Sequence, residues 1–355
     1  MKSPGHVERH FFAEVFAATD LAMTGPETSS FQLDVAGVPV VVEFASTRMR
    51  ELLMPALHHL VDPPQTALSP QVRLSVWDSA ATAVAMPPPP VPRDAFTRRG
   101  ELLGFGGDRY LVASKSLESS VSALDRDEGR GVYWVQDARN FPYLSRSAPL
   151  RTLLHWILMD RGRHLVHGAA VGGEQSGVLL VGSGGIGKST TALRCLAAGM
   201  RFLGDDYLAI AADPPRAYTL YSTAKLFVAE SLPAGVPLGP SAADDVKVVL
   251  TLDEYADRIP RELPIRTLAT LSFTDEDAST VEDIDPSTLF RAAVATTLGQ
   301  LPHAGAPLLR LMGDFRDQVT SVRVKLGRDP DSVVSLMREI VAGRSPVAAG
   351  HSDQI

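Results

Sequence analysis

Eight consecutive residues, Gly182-Ser183-Gly184-Gly185-Ile186-Gly187-Lys188-Ser189, follow the pattern G-x-x-x-x-G-K-[ST], and Thr190 comes next. The chemistry such a run can do is anion binding. Its glycines let the backbone fold around an anion, so that main-chain N–H groups and the start of a following helix face the oxygens. In this pattern the lysine, Lys188, reaches the β- and γ-phosphates, and the hydroxyl of Ser189 ligates Mg²⁺. The context agrees: an apolar strand at 178–181 leads in, and a helix from about 188 to 198 leads out and is closed by Gly199. The run predicts a nucleoside triphosphate site.

The loop does not say where a phosphoryl group would go, and three acidic positions compete to serve it. Asp205-Asp206 lie between apolar segments at 202–203 and 207–210. Asp253-Glu254 close an apolar run at 248–252, as a Walker B strand of a hydrolysing ATPase would end. Asp213 meets Pro214-Pro215 at once and is set aside. Phosphoryl transfer asks mainly for positioning, neutralised charge and a carboxylate near the incoming hydroxyl. A kinase built on the first pair, an ATPase built on the second, and a nucleotide-binding regulator without turnover all remain open on the residues alone.

These side chains need elements to hold them. Residues 164–171 read as a strand, 172–177 as a tight connection and 178–181 as a second strand. Strands joined this closely must be antiparallel, because a parallel pair needs a crossover of a dozen or more residues. Upstream, Ser147 is expected to cap a helix with Pro149 in its first turn, an apolar face of Leu150, Leu153, Leu154, Ile157 and Leu158, and Gly162 at its end. That helix sets the expected boundary between an N-terminal α/β accessory domain (1–145) and a catalytic domain (146–343), followed by a small, polar tail (344–355). In the first domain, 31–44 reads as two strands about Ala36-Gly37, 48–60 as an amphipathic helix, and 72–77 and 132–135 as strands. A proline run at 86–92 reads as an extended connector, and 101–115 as a hairpin turning at Gly106-Gly107-Asp108. A helix at 333–341 closes the chain.

Composition narrows the partners. The 355 residues carry a net charge of −7 with a pI near 5.7, which gives no footprint for nucleic acid or an anionic membrane. The single cysteine, Cys195, can form neither an internal disulfide nor a zinc cluster. The longest apolar runs fall far short of the ~20 residues that span a bilayer, and no signal peptide is visible. A cytoplasmic protein is the expectation.

The stretch 164–210, with His167-Gly168 on the strand before the loop and Asp205-Asp206 after the loop helix, resembles the catalytic core of the HPr kinase/phosphorylase family. The resemblance implies a P-loop kinase domain of the type shared with phosphoenolpyruvate carboxykinase, using ATP and Mg²⁺. It implies Asp205 as the base that takes a seryl proton, Asp206 beside the metal with Ser189, and His167 at the γ-phosphate. The acceptor would be a peptide or small protein, and the family's habit of assembly implies a homo-oligomer. The segment Tyr221-Ser222-Thr223-Ala224-Lys225-Leu226 is similar to relatives encoded beside peptide-maturation genes, such as lasso-peptide precursor kinases. Lys225 is there either a contact to phosphate or substrate, or a surface lysine.

Overall fold

The computed structural model describes residues 4–61, 71–91, 95–102, 107–227 and 247–344. Part of the proline run, the expected turn at Gly106 and nearly all of the tail lie outside the described residues. The chain divides into two compact units, Met1–Arg161 with Gly299–Ala304, and Gly162–Leu298 with Gly305–Ile355. Both are mixed α/β.

In the first unit, helix α1 (Pro4–Ala22) is followed by the hairpin β1 (Ser29–Val35) and β2 (Val38–Phe44). Its turn is Ala36-Gly37, both at positive φ (51° and 80°), which suits the twist of a two-residue hairpin loop. Then come α2 (Thr47–Leu57), β3 (Val72–Asp78), the single turn α3 (Ser79–Thr82), β4 (Tyr110–Lys115), β5 (Ser120–Asp125), β6 (Arg130–Val135) and α4 (Arg151–Met159). The six strands form one mixed sheet in the order β1-β2-β3-β6-β5-β4. Phe11, Phe12 and Val15 of α1 pack with Trp77, Val112, Ala123 and Val132 on one face, and the Trp77 indole donates to Thr19 Oγ1 (3.1 Å).

The opposite face explains two departures from the sequence reading. Helix α4 belongs to the first unit, so the division falls at Arg161/Gly162 rather than near residue 145. Gly131 of β6 leaves the space that Leu153 of α4 fills beside Leu74 and Leu124, so this sheet needs that helix to keep its second face dry. Ser147 does not cap α4. It ends a 3-10 segment, its hydroxyl donates to Leu144 O (3.0 Å), and Leu150, at φ 55°, holds the cap position instead.

The second unit runs β7 (His164–Gly172), β8 (Gly177–Val181), α5 (Lys188–Ala197), β9 (Arg201–Gly204), β10 (Tyr207–Ala211), β11 (Arg216–Tyr218), β12 (Thr223–Phe227) and β13 (Lys247–Thr251). It continues with β14 (Glu262–Phe273), β15 (Thr280–Asp283), α6 (Pro286–Leu298), α7 (Gly305–Arg316), β16 (Thr320–Leu326) and α8 (Pro330–Val341). An eight-stranded sheet has the order β11-β10-β7-β8-β14-β16-β15, with β9 also on β7. Because β11 pairs with both β10 and β14, the pairing closes a ring through β10, β7, β8 and β14. As the short connection required, β7 and β8 are antiparallel; β8 and β14 are parallel. All five residues of β8 are buried, the continuous apolar run expected of a strand covered on both faces. Beneath α5 and α8 the core gathers Ala169, Leu180, Leu193, Ala269, Val324 and Met337. Among the described residues no helix is long and apolar enough to cross a membrane.

His164, on the face of β7 away from α5, is 3% exposed. Burial and the nearby Arg310 charge push its pKa down from 6.5 to about 4. The folded protein disfavours the imidazolium, so His164 costs no stability above pH 6.5, and its cost grows as pH falls from 6.5 to 4, reaching about 3 kcal/mol. Urea melts of the wild type and His164→Gln across that window should show the smaller acid-induced loss in the variant. Parallel curves would mean that the imidazole is not held neutral.

Candidate active site

The site forms at one level of the sheet. Gly168, near the middle of β7, pairs with Val181, the last residue of β8, on one side. On the other side the antiparallel neighbour is β9 continued by β10, with Gly204 opposite Ala170 and Tyr207 opposite His167. Between them Asp205 and Asp206 leave regular pairing. Tyr207 N donates to Asp205 O (2.8 Å) across Asp206, which has φ 68°. That i→i+2 bond at positive φ makes the uncommon, strained hand of γ-turn. Gly168 N holds the kink by donating to Asp206 O (3.2 Å). A Cβ on Gly168 would stand 2.6 Å from Leu180 O, so this close approach needs glycine. The glycine-rich loop and the aspartate pair thus flank β7 at the same height, beside His167.

In the loop, Gly182, Gly185 and Gly187 take φ of 127°, 83° and 95°. Helix α5 begins at Lys188 with Gly187 as its N-cap and no side-chain cap, so its first N–H groups stay available to an anion. Lys188, 7% exposed, folds back and donates to Gly182 O (2.8 Å) and Ser183 O (2.9 Å). Burial lowers its pKa, against the pull of Asp205 and Asp206.

The aspartates have different surroundings. Asp205, 3% exposed, accepts from Ser189 Oγ (2.8 Å) and from the main-chain N of Lys225 (3.0 Å). Burial and the neighbouring Asp206 charge raise its pKa. Burial also works against ionisation of Asp206, but its contacts prevail. His167 Nε2 lies 3.4 Å from Asp206 Oδ1 and Lys225 Nζ donates to Oδ2 (2.7 Å), holding the carboxyl well below the usual range. The carboxylate that meets Ser189 is therefore Asp205, whereas the resemblance implied Asp206 beside that ligand. His167 is placed by its own main chain, whose N–H donates to Thr297 Oγ1 of α6 (3.1 Å).

A cavity of roughly 60 Å³ between these groups is lined by His167, Gly184, Gly185, Gly187, Lys188, Ser189, Thr190, Asp205, Asp206, Lys225 and Lys247. Lys225 is no surface lysine, with its side chain only 18% exposed. Lys247 was not singled out by sequence reasoning; it pairs with Phe227 on the β12–β13 hairpin, which brings both lysines to the loop. A charge inside an apolar strand, as at Lys225 between Ala224 and Leu226, was the available signal. Asp253 and Glu254 do not join the site. They are exposed on a 3-10 segment after β13, which among the described residues pairs with β12 alone; the parallel neighbour of β8 is β14.

No protein-family model matches the chain, and no curated protein matches it. Among solved structures it is similar to the Hpr(Ser) kinase/phosphatase from Coxiella burnetii, with 11% sequence identity and a TM-score of 0.28 over 51% of this chain and 94% of that one. This is a weak likeness to a kinase fold at most and carries no argument for the site, which rests on its own geometry.

Lys225 and Asp206 are mutually dependent charges of low exposure (18% and 19%). Lys225→Met should lower stability by about 1–3 kcal/mol in urea melts, because it strips a donor from an ionised, nearly buried carboxylate. Adding Asp206→Asn should recover most of that loss, and strictly additive losses would show that the pair is not coupled.

Proposed function

We propose that the protein is an ATP-dependent kinase that transfers the γ-phosphoryl group to a serine hydroxyl of a peptide or small protein. The observation that carries this reading is the convergence of Asp205, Asp206 and His167 on Lys188 and Ser189, with Asp253 and Glu254 exposed elsewhere.

Lys188 exchanges its two loop carbonyls for oxygens of the β- and γ-phosphates, while the loop N–H groups and the uncapped start of α5 hold the β-phosphate. Lys225 and Lys247 add positive charge around the transferring group, whose charge must be balanced throughout, and His167 lines the same cavity. Asp205 accepts the proton of the incoming hydroxyl as the new O–P bond forms and the bond to the β–γ bridging oxygen breaks, leaving ADP. Among the described residues there is no cluster of three or more His, Cys, Asp or Glu that would cage a metal. The donor set fits Mg²⁺ all the same. That ion is typically held by one or two protein oxygens plus phosphates and water, and Ser189 with the adjoining aspartates offers hard oxygens of this kind. When bound, Mg²⁺ would neutralise phosphate charge. Asp206, kept anionic by Lys225 and His167, suits a structural and electrostatic part.

The second reading, an ATPase using Asp253 and Glu254, predicts the opposite mutant pattern. With Mg-ATP and candidate seryl peptides, read by mass for added phosphate, Asp205→Asn should lower transfer by about 10²–10⁴-fold, and Glu254→Gln should leave it unchanged. Transfer that survives in Asp205→Asn, or ATP turnover lost only in Glu254→Gln, would remove the kinase assignment.

A further inference from the structure

Among the described residues four large apolar side chains are exposed: Leu21, Leu117, Phe273 and Leu309. Scattered exposed apolar residues are ordinary and need no explanation. Phe273 differs through its place on the strand. Beyond the register shift that β14 makes between Ile265 and Thr267, alternate positions Thr267, Ala269 and Leu271 share one face and are buried, at 6% exposure or less. The next member of that stripe, Phe273, is 69% exposed. The period of two keeps it on the face that carries Ala269 and Leu271 beneath α5, so the stripe leaves the core where the glycine-rich loop crosses above it.

Contacts around the loop's last glycine fix that position. A Cβ on Gly187 would meet Leu326 Cδ1 at 2.8 Å, Phe273 Cζ at 3.7 Å and Leu271 Cδ1 at 3.9 Å. Gly187 therefore sits on a patch made by Leu271, Leu326 and the Phe273 ring, directly before the uncapped N-terminus of α5. Leu271 and Leu326 are covered, at 4% and 9% exposure, and the Phe273 ring is the part of the patch that solvent reaches. An aromatic face open to solvent at the edge of an anion-binding backbone is complementary to an anion that carries its own flat aromatic group. Nucleotides are such ligands, and stacking accepts any base because each has a π-face.

We infer that Phe273 is the platform on which the base of the bound nucleotide stacks. This inference rests on the triphosphate reading of the loop. It assigns the base a subsite on β14, on the far side of Gly187 from the aspartates, so phosphoryl chemistry and base binding are served by different strands. Stacking alone does not separate adenine from guanine, so Phe273 contributes affinity for both.

The test compares wild type, Phe273→Ala and Phe273→Trp by calorimetric titration with three Mg²⁺-containing probes: ATP, GTP and inorganic tripolyphosphate. Tripolyphosphate engages the loop and has no base. Phe273→Ala should bind ATP and GTP roughly five- to 150-fold more weakly and tripolyphosphate as the wild type does. Phe273→Trp should keep nucleotide affinity. Unchanged ATP binding by Phe273→Ala would overturn the inference and leave the triphosphate reading intact. Equal weakening toward all three probes would also overturn it, because the ring would then be supporting the loop rather than a base. Failure of the wild type to bind any probe would remove the triphosphate reading, and this subsite with it.

Discussion

Two adjacent carboxylates buried against a lysine-bearing loop set the terms for the second unit. An ionised carboxylate taken out of water costs several kcal/mol unless hydrogen bonds and opposite charge replace its hydration. Here the compensation is divided. Asp205 has the Ser189 hydroxyl and one main-chain N–H; Asp206 has Lys225 and His167. These partners come from three places: β7, the helix after the loop, and the β12–β13 pair. A change in any of these elements leaves a buried charge underserved, so the site and the local fold depend on the same contacts.

The backbone around Asp206 follows from that demand. Regular pairing of β9 and β10 against β7 would send successive side chains to opposite faces of the sheet. The turn at Asp206 breaks that alternation and brings both carboxylates to the loop side. Strain at such a turn persists only where the surroundings over-determine it. The bond from Gly168 N and the fit of Gly168 under Leu180 O provide that determination. Gly168 thus serves both sides of β7: its N–H braces the kink at Asp206, and its missing Cβ lets β8 come close on the other side.

The sequence was informative where a local rule governs. The loop, the antiparallel approach through β7, the Ala36-Gly37 hairpin and the closing helix each depend on residues within a few positions of one another. Features set by distant packing stayed hidden. β14 shifts register between Ile265 and Thr267 and buries Leu268 as well as Thr267 and Ala269, so its alternation is blurred by its place between β8 and β16. Helix α4 has the expected apolar face, but only the gap at Gly131 shows which sheet it covers. Lys225, a charge inside an apolar strand, signalled that it is something other than a surface residue, but its partner Asp206 lies 19 positions away and only the folded chain names it. The acidic pair after β13 had the composition of a Walker B strand end, and only the pairing of β13 with β12 shows that it stands apart from β8.

Lys188 gives the loop a property of its own. With its ammonium on the carbonyls of Gly182 and Ser183, the loop satisfies its lysine internally before any ligand arrives. On the proposed triphosphate reading, ligand entry swaps one set of N–H···O contacts for another without changing their number, a nearly isodesmic exchange. The gain comes from replacing neutral acceptors by anionic ones, which form the shorter and stronger bonds. Under that reading, selectivity among anions is tied to how many negative oxygens each can bring to one lysine and one helix end, which would rank long polyphosphates above single phosphates before any base is consulted.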